Sequence, residues 1–221
     1  MKIVFPEIHN TFDTDQGVVN GLVIEEPRLF RDILTDIQEQ LEGRSGDTFL
    51  SENDKEIPIA KNVEVLSQFI PFVISKRNLT GKVVTKLEEI ALQDNHSTTM
   101  EMMAILESYL VNLAFDLPGD IEFSKVSIGA ILKAVGATFC EDYNSLAEKL
   151  IDYMELVTEY DHCKLFIFVN LRGYLSEQEA QLFFDTIRSH QYHVVMIDNH
   201  ESTILNGEKR YLIDQSCCEI Q

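Results

Sequence analysis

The chain has 221 residues, 45% of them hydrophobic, and carries 18 Lys and Arg against 37 Asp and Glu, a formal net charge of −19. This length and apolar content suffice for one large domain or a domain with a sizeable insertion. No apolar run approaches the roughly 20 residues that span a bilayer, and residues 1–10 lack a secretory leader pattern. A cytoplasmic protein without a membrane anchor is therefore expected, and the negative charge argues against a general nucleic-acid coat.

The four cysteines are Cys140, Cys163, Cys217 and Cys218. They contain no CxxC pair and no spacing that suits a four-ligand zinc site. The neighbouring Cys217 and Cys218 are expected to be a reduced pair rather than a disulfide.

The first 57 residues alternate between strand and helix patterns. Residues 2–8 and 18–24 are predicted to be short strands joined by a polar turn. Pro27 suits the first position of a helix whose apolar residues recur at helical spacing as far as Leu41, and Gly43 ends it. A loop over residues 43–56 then leads to Pro58.

The middle of the chain shows no strand pattern. Val65, Leu66, Phe69 and Ile70 are interpreted as the start of a helix that Pro71 kinks or ends. A second helix is predicted over 83–91. Thr98 and Glu101 resemble a capping box, a pair of reciprocal helix-start bonds, before a third helix. Ser124 is expected to cap a fourth helix, which Gly136 ends.

The last third contains the clearest α/β pattern. Leu165–Val169 is a continuous apolar run, typical of a strand covered on both faces. Ser176 and Glu179 form a capping box before an apolar helix stripe, and 194–197 is a second buried strand. Strand, helix and strand in this order predict a right-handed crossover and a parallel pair. Residues 211–213 are expected to add an edge strand.

These patterns predict an α/β head with a mainly parallel sheet, made from residues 1–57 and 138–221, and an inserted α-helical domain over 58–137. The formal net charges of the three segments in chain order are −8, −2 and −9. The middle segment is therefore the least repulsive place for a polyanion.

Nucleotide hydrolysis is one candidate activity. Asp198 follows an apolar strand, as a Walker-B carboxylate does, and Asn170 ends the neighbouring strand at the same level, where open sheets bind ligands. An acid in this position is also common as a turn or helix cap. No GxxxxGK[ST] loop is present, and the glycine pair Gly43 and Gly46 has the wrong spacing. An active P-loop ATPase is therefore not expected, but a fold descended from one is.

Acid–base or nucleophilic catalysis is a second candidate. His190, His193 and His200 lie close in sequence to Asp198 and Glu201. No nucleophile elbow and no HExxH pattern accompany them. Histidines at helix ends and loop tips mostly serve caps and the solvated surface, so this cluster is not favoured.

An acidic turn is the candidate cation site. Asp116, Asp120 and Glu122 place three carboxylates in seven residues around a Pro-Gly turn between two helices. Oxygen-rich loops suit Ca²⁺, which takes 6–8 oxygen ligands, although the spacing is not that of an EF-hand. The alternative is an acidic turn that merely caps the helix near Ser124.

Backbone binding to nucleic acid is the last candidate. Lys125 and Lys133 are eight residues apart and would share one face of the helix after the acidic turn. Scattered lysines on helices are usually solvated surface, and a monomer of charge −19 would bind DNA poorly through them. A symmetric assembly could point such lysines towards one shared channel.

Four segments together resemble the small adaptation protein of subtype II-A CRISPR systems. They are the opening Met1-Lys-Ile-Val-Phe-Pro6, the acidic turn, the strand segment 165–171, and the ending 210–214 with 218–220. None of these segments is a general catalytic signature, so their joint occurrence is more specific than any one of them. The resemblance extends over all 221 residues.

The resemblance implies a head related to P-loop ATPases, with a degenerate phosphate loop, and a helical leg. It also implies a homotetrameric ring that binds Ca²⁺, encircles linear ends of double-stranded DNA and serves spacer acquisition without catalysis of its own. Partners would be the CRISPR adaptation integrase and the effector nuclease. Calcium binding is carried over onto Asp116, Asp120 and Glu122, and DNA contact is expected at Lys125 and Lys133. The alternative is an atypical nucleotide-dependent enzyme of the P-loop lineage.

Overall fold

The computed structural model describes residues 1–14, 18–74, 79–115 and 117–220. The chain divides into two compact units. One consists of Met1–Phe72 and Asp142–Gln221, and the other of Val73–Glu141. The α/β unit is thus made from both ends of the chain, and the helical unit is inserted between them in the sequence. The insertion begins at Val73 rather than at residue 58 and ends at Glu141 rather than at residue 137.

The described residues form ten strands: β1 Lys2–Val4, β2 Phe12–Asp13, β3 Val19–Ile24, β4 Phe49–Glu52, β5 Lys55–Glu56, β6 Val63–Leu66, β7 Leu165–Val169, β8 His193–Asp198, β9 Glu208–Ile213 and β10 Glu219–Ile220. They also form seven α-helices: α1 Pro27–Leu41, α2 Ile59–Asn62, α3 Leu79–Gln93, α4 His96–Ala114, α5 Ile128–Ala134, α6 Leu146–Asp161 and α7 Glu177–Ser189. A 3₁₀ turn covers Leu171–Tyr174.

Six strands form the main sheet of the α/β unit, in the order β10-β9-β3-β8-β7-β6. All neighbours are parallel except β10 and β9. The parallel pair predicted around α7 is therefore confirmed, with Val169 opposite Ile197. The edge prediction for 211–213 was wrong, because β10 pairs outside β9.

The helical interpretation of 65–70 was also wrong. Val63–Leu66 is strand β6, and Leu66 lies opposite Phe168 of β7 in the parallel ladder. Three of its four residues are buried. A short apolar segment of this kind has a spacing that fits a buried strand and the first turn of a helix equally well. This strand moves the boundary of the α/β unit to Phe72.

A smaller sheet has the order β2-β1-β4-β5. The two strands predicted at 2–8 and 18–24 therefore lie in different sheets, because β1 pairs with β2 and β4 whereas β3 pairs with β8 and β9. The loop predicted over 43–56 contains the hairpin of β4 and β5. Asn53 and Asp54 form its two-residue turn with φ of 50° and 58°, the positive values that such turns require.

Helices cover both faces of the main sheet. Residues 165, 167 and 169 of β7 join one core cluster with Ile33 and Ile37 of α1. Alternate residues point to the other face, where Phe168 packs edge-on against Phe183 of α7 with ring centroids 5.5 Å apart. Parallel strands need this double cover, which accounts for their continuous apolar sequences.

Local start signals explain the positions of α1 and α7. Pro27 opens α1, and the Glu26 carboxylate accepts a 2.6 Å hydrogen bond from the Leu29 amide. The capping box of Ser176 and Glu179 is confirmed at the start of α7. Gly43 follows the end of α1 with φ of 84°, as expected for a helix stop.

The helical unit contains α3, α4 and α5. Helix α4 begins at His96, so Thr98 and Glu101 lie inside it and do not form the predicted capping box. Ser127 rather than Ser124 caps α5, since its hydroxyl accepts a hydrogen bond from the Ala130 amide. Among the helices of the residues described, none is long and apolar enough to cross a membrane.

We predict that Ile167→Ala costs about 2–5 kcal/mol of unfolding free energy, because Ile167 is fully buried between the covered faces of the sheet. Ile204→Ala, which removes the same atoms from a side chain that is 62% exposed, should change it by less than about 0.5 kcal/mol. Urea unfolding of both variants measures the difference. Equal losses would show that β7 is not the centre of the core.

Candidate functional site

Two polar residues meet at the carboxyl end of the main sheet. Asp198 is the last residue of β8, and Asn170 directly follows β7. The Asn170 side-chain oxygen accepts a 2.9 Å hydrogen bond from the Asn199 amide, which ties the two strand ends together. The structure therefore brings Asn170 and Asp198 to the same edge, as their positions in the sequence predicted.

A buried cluster of three charged side chains adjoins this edge. Arg172 and Arg210 both form salt bridges with Glu208, at 3.3 Å and 2.6 Å. The Arg172, Glu208 and Arg210 side chains are 9%, 4% and 7% exposed. Gly21 of β3 permits this packing, because a Cβ there would lie 2.7 Å from a Glu208 carboxylate oxygen.

The cluster fixes the loop between β8 and β9. Arg172 donates a 2.8 Å hydrogen bond to the Thr203 carbonyl, and Arg210 donates to the Ser202 carbonyl. Glu208 accepts a 2.9 Å hydrogen bond from the Leu205 amide. The three charged side chains thus hold the loop in place through hydrogen bonds to its backbone groups.

Asp198 lies beside the cluster but is not bonded to it. Its residue is 7% exposed, and its carboxylate makes no hydrogen bond or salt bridge with any residue in the described ranges. Burial raises the pKa of Asp198 to about 6, opposed by the positive charge of Arg172. Glu208 raises the pKa further and Arg210 lowers it.

A cavity of about 220 Å³ opens onto Asp198. Asn170, Asn199, His200, Glu201 and Ser202 contribute to its wall. Pockets for organic ligands usually measure about 300–1,000 Å³, so this space suits a much smaller ligand than a nucleotide.

The three histidines near Asp198 in sequence do not converge in space. His193 begins β8 at the opposite end of the strand from Asp198, and its ring contacts the Thr14 carbonyl. His190 ends α7 and bonds the Thr186 carbonyl there. Of the three, His200 alone lines the cavity.

The acidic turn provides two of its three predicted carboxylates in the described chain. Asp116 lies outside the described residues. Asp120 and Glu122 are both exposed, and neither makes a hydrogen bond or an ion pair with a described residue. Across the described ranges, no group of three His, Cys, Asp or Glu side chains is arranged to hold a metal. Carboxylate oxygens suit Ca²⁺, but these two supply too few ligands for a complete site.

Lys125 and Lys133 are both exposed, and neither has an ion pair with a described residue. The expectation that they share a helix face was wrong, because α5 begins at Ile128 and Lys125 lies before it. The Glu107 carboxylate of α4 accepts a 3.2 Å hydrogen bond from the Val126 amide and so holds the segment next to Lys125.

Helix α4 exposes a large apolar surface. Met102, Ile105, Tyr109 and Leu113 recur at helical spacing and are 55–70% exposed. We call these four residues the α4 stripe. A monomeric soluble protein rarely exposes a contiguous apolar surface of this kind.

A family model described as CRISPR-associated protein (Cas_Csn2) matches residues 40–217. The chain belongs to the Cas_Csn2 family. Its role is therefore CRISPR-associated, as the resemblance of the sequence implied. No curated protein sequence matches the chain.

Among solved structures, this Cas_Csn2 chain is similar to a putative ABC transporter ATP-binding protein from Pyrococcus furiosus. The identity is 13% and the TM-score 0.40, with 95% of this chain and 97% of that one covered.

We predict that Asp198→Asn stabilises the protein at neutral pH. The folded state holds the Asp198 proton more tightly than the unfolded state, whose carboxyl titrates near 3.8, so the wild type loses stability as the pH rises through about 6. The increase in the free energy of unfolding that the variant produces should grow between about pH 4 and pH 6. Above that range it should stay constant at about 3 kcal/mol.

Urea unfolding at a series of pH values measures this gain. Asp152→Asn, at an exposed position of α6, is the matched control and should give a flat difference. A flat difference for Asp198→Asn as well would mean that the Asp198 carboxyl is solvated.

Proposed function

We propose that this Cas_Csn2 protein binds linear ends of double-stranded DNA as a calcium-stabilised homotetrameric ring, independently of sequence and without catalysis, in the acquisition of CRISPR spacers. Membership of the family is the observation that carries the proposal. The adaptation integrase and the effector nuclease of the same CRISPR system are the proposed protein partners.

The distribution of charge supports binding through an assembly rather than through one chain. The α/β unit has a formal net charge of −16, whereas the helical unit has −3. A single chain would repel DNA over most of its surface. Repetition of Lys125 and Lys133 by symmetry would concentrate positive charge without altering the acidic surface elsewhere.

The α4 stripe supports self-association. Each of its side chains would gain about 25 cal/mol for every Å² of apolar surface removed from water. A second copy of the chain offers the same apolar surface, as the self-complementary interfaces of homo-oligomers do.

The acidic turn supports the calcium proposal through its chemistry. Asp120 and Glu122 are exposed hard-oxygen donors without a competing partner among the residues described. A complete site would require further oxygens, from Asp116, from water or from another copy. Ca²⁺ bound there would stabilise the state that gathers those oxygens.

Two observations support a role without nucleotide hydrolysis. The sequence has no phosphate-binding loop, and the cavity beside Asp198 is smaller than a nucleotide pocket. The alternative enzyme of the P-loop lineage requires measurable ATP binding and turnover. Detection of either activity in the purified protein would favour that alternative.

The first prediction is an oligomer larger than a dimer when Ca²⁺ is present at about millimolar concentration. Ile105→Asp places a charge in the α4 stripe and should shift the protein to smaller species, because a buried unpaired charge is costly. Ile204→Asp, on a similarly exposed side chain of the α/β unit, is the matched control. Sedimentation that gives a monomer for the wild type would contradict the ring.

The second prediction concerns Ca²⁺ itself. Joint replacement of Asp120 and Glu122 by Ala should abolish Ca²⁺ binding measured by calorimetry, because two charged ligands are lost. Thermal stability without Ca²⁺ should change little, since both side chains are exposed. Unchanged calcium affinity would show that the turn serves no more than a local structural role.

The third prediction concerns DNA. Affinity should be independent of sequence and should fall about a thousandfold between about 50 and 200 mM salt, if each ring contacts roughly six phosphates. Joint replacement of Lys125 and Lys133 by Glu should weaken binding to all linear duplexes equally. Joint replacement of Lys55 and Lys61 by Glu, in the α/β unit, is the charge-matched control.

Gel shifts with linear and closed circular DNA of one length test the requirement for an end. A closed ring can load only by threading, so the linear form should bind far more tightly. Equal affinity for the circular form would overturn threading, and intact binding by the Lys125 and Lys133 variant would place the contacts elsewhere.

A further inference from the structure

Asp198 is a buried acid that makes no hydrogen bond or salt bridge with the residues that the structure describes. Unpaired carboxylates are expensive to bury, because protein groups must replace the water that they lose. The two nearby arginines do not fulfil this role by hydrogen bonding. Arg172 donates to Glu208 and Thr203, and Arg210 donates to Glu208 and to the loop.

The charges around the cavity favour a positive ligand. Arg172 lines the cavity together with Asp198 and Glu201, and Arg210 lies behind it. Glu208 forms a salt bridge with each of the two arginines. With every group ionised, these five side chains have a net charge of −1. A cation next to Asp198 would therefore balance this net negative charge.

The size and donors of the cavity narrow the class of cation. Its volume of about 220 Å³ leaves room for a small cation together with bound water. Asp198 and Glu201 offer carboxylate oxygens, and the Asn170 amide oxygen has a second lone pair besides the one that accepts the Asn199 amide. Mg²⁺ usually keeps several waters and uses one or two carboxylates, whereas Ca²⁺ takes more protein oxygens. In the described structure no three Asp, Glu, His or Cys side chains are grouped as ligands. A cation that needs only one or two carboxylates and takes its other ligands from water is compatible with that.

We propose that this cavity is a binding site for a partly hydrated divalent cation of the Mg²⁺ class, with the Asp198 carboxylate as the direct ligand and Glu201 at the rim. The site is distinct from the acidic turn and needs neither nucleotide nor DNA. A bound cation would interact with a buried carboxylate that receives no hydrogen bond from the described part of the chain.

The test uses Mn²⁺ as a paramagnetic probe for the same class of cation. Binding reduces the electron paramagnetic resonance signal of free Mn²⁺, and this loss gives the number of bound ions. The measurement is made in about 0.15 M NaCl, which screens the acidic surface. The wild type should bind one more Mn²⁺ than Asp198→Asn, and excess Mg²⁺ should displace it. Asp152→Asn, which changes an exposed carboxylate of α6, should bind as the wild type does.

Two further variants keep the result decisive. Glu201→Gln should weaken the site several-fold without removing it, because a rim carboxylate acts at longer range. The chain with Ala at positions 120 and 122 should keep the Mn²⁺ that depends on Asp198, which separates this site from calcium binding at the turn. The same count for the wild type and folded Asp198→Asn would overturn the proposal.

Discussion

The parallel pairing of β7 with β8 is the interaction on which the rest of the α/β unit depends. Both strands are buried along nearly their whole length, so each face of the sheet needs a helical layer. Helices α1 and α7 supply these layers from distant parts of the sequence. The same pairing brings Asn170 and Asp198 to one edge and thereby creates the cavity between them.

The polar groups at this edge divide into two kinds. Arg172, Glu208 and Arg210 satisfy one another and hold the loop after β8, so their burial is compensated by bonds. Asp198 makes no hydrogen bond or salt bridge with a described residue, and burial raises its pKa although the charges of Arg172 and Arg210 oppose the rise. A neutral Asp198 is the more stable state of this edge, and the proposed cation would relieve the same cost when the carboxylate is ionised.

The helical unit follows a different physical rule. Its helices α3 and α4 bury few large side chains, Leu79, Val84 and Met103 among them, while the α4 stripe faces outward. An apolar surface of that extent gains free energy when another surface covers it. The proposed assembly would complete this unit, whereas the α/β unit already has a full core.

The sequence by itself determined the elements whose signals are local. The capping box at Ser176, the proline at the start of α1 and the continuous apolar strand at Leu165–Val169 each act within a few residues. The pattern around α7 also determined the parallel pair. Cas_Csn2 membership was equally readable, because it depends on the order of residues and not on their positions in space.

Tertiary structure alone decided the features that depend on distant partners. Residues 63–66 form strand β6 because they pair with β7 through backbone hydrogen bonds, although their apolar spacing fits a helix equally well. The salt bridges of Glu208 with Arg172 and Arg210 link β9 to the turn after β7, and no motif marks them. Gly21 in a strand pattern was the one local sign that a side chain approaches closely there. Whether Lys125 belongs to α5 depended on the choice between Ser124 and Ser127 as cap, which residue type could not settle since both are serines.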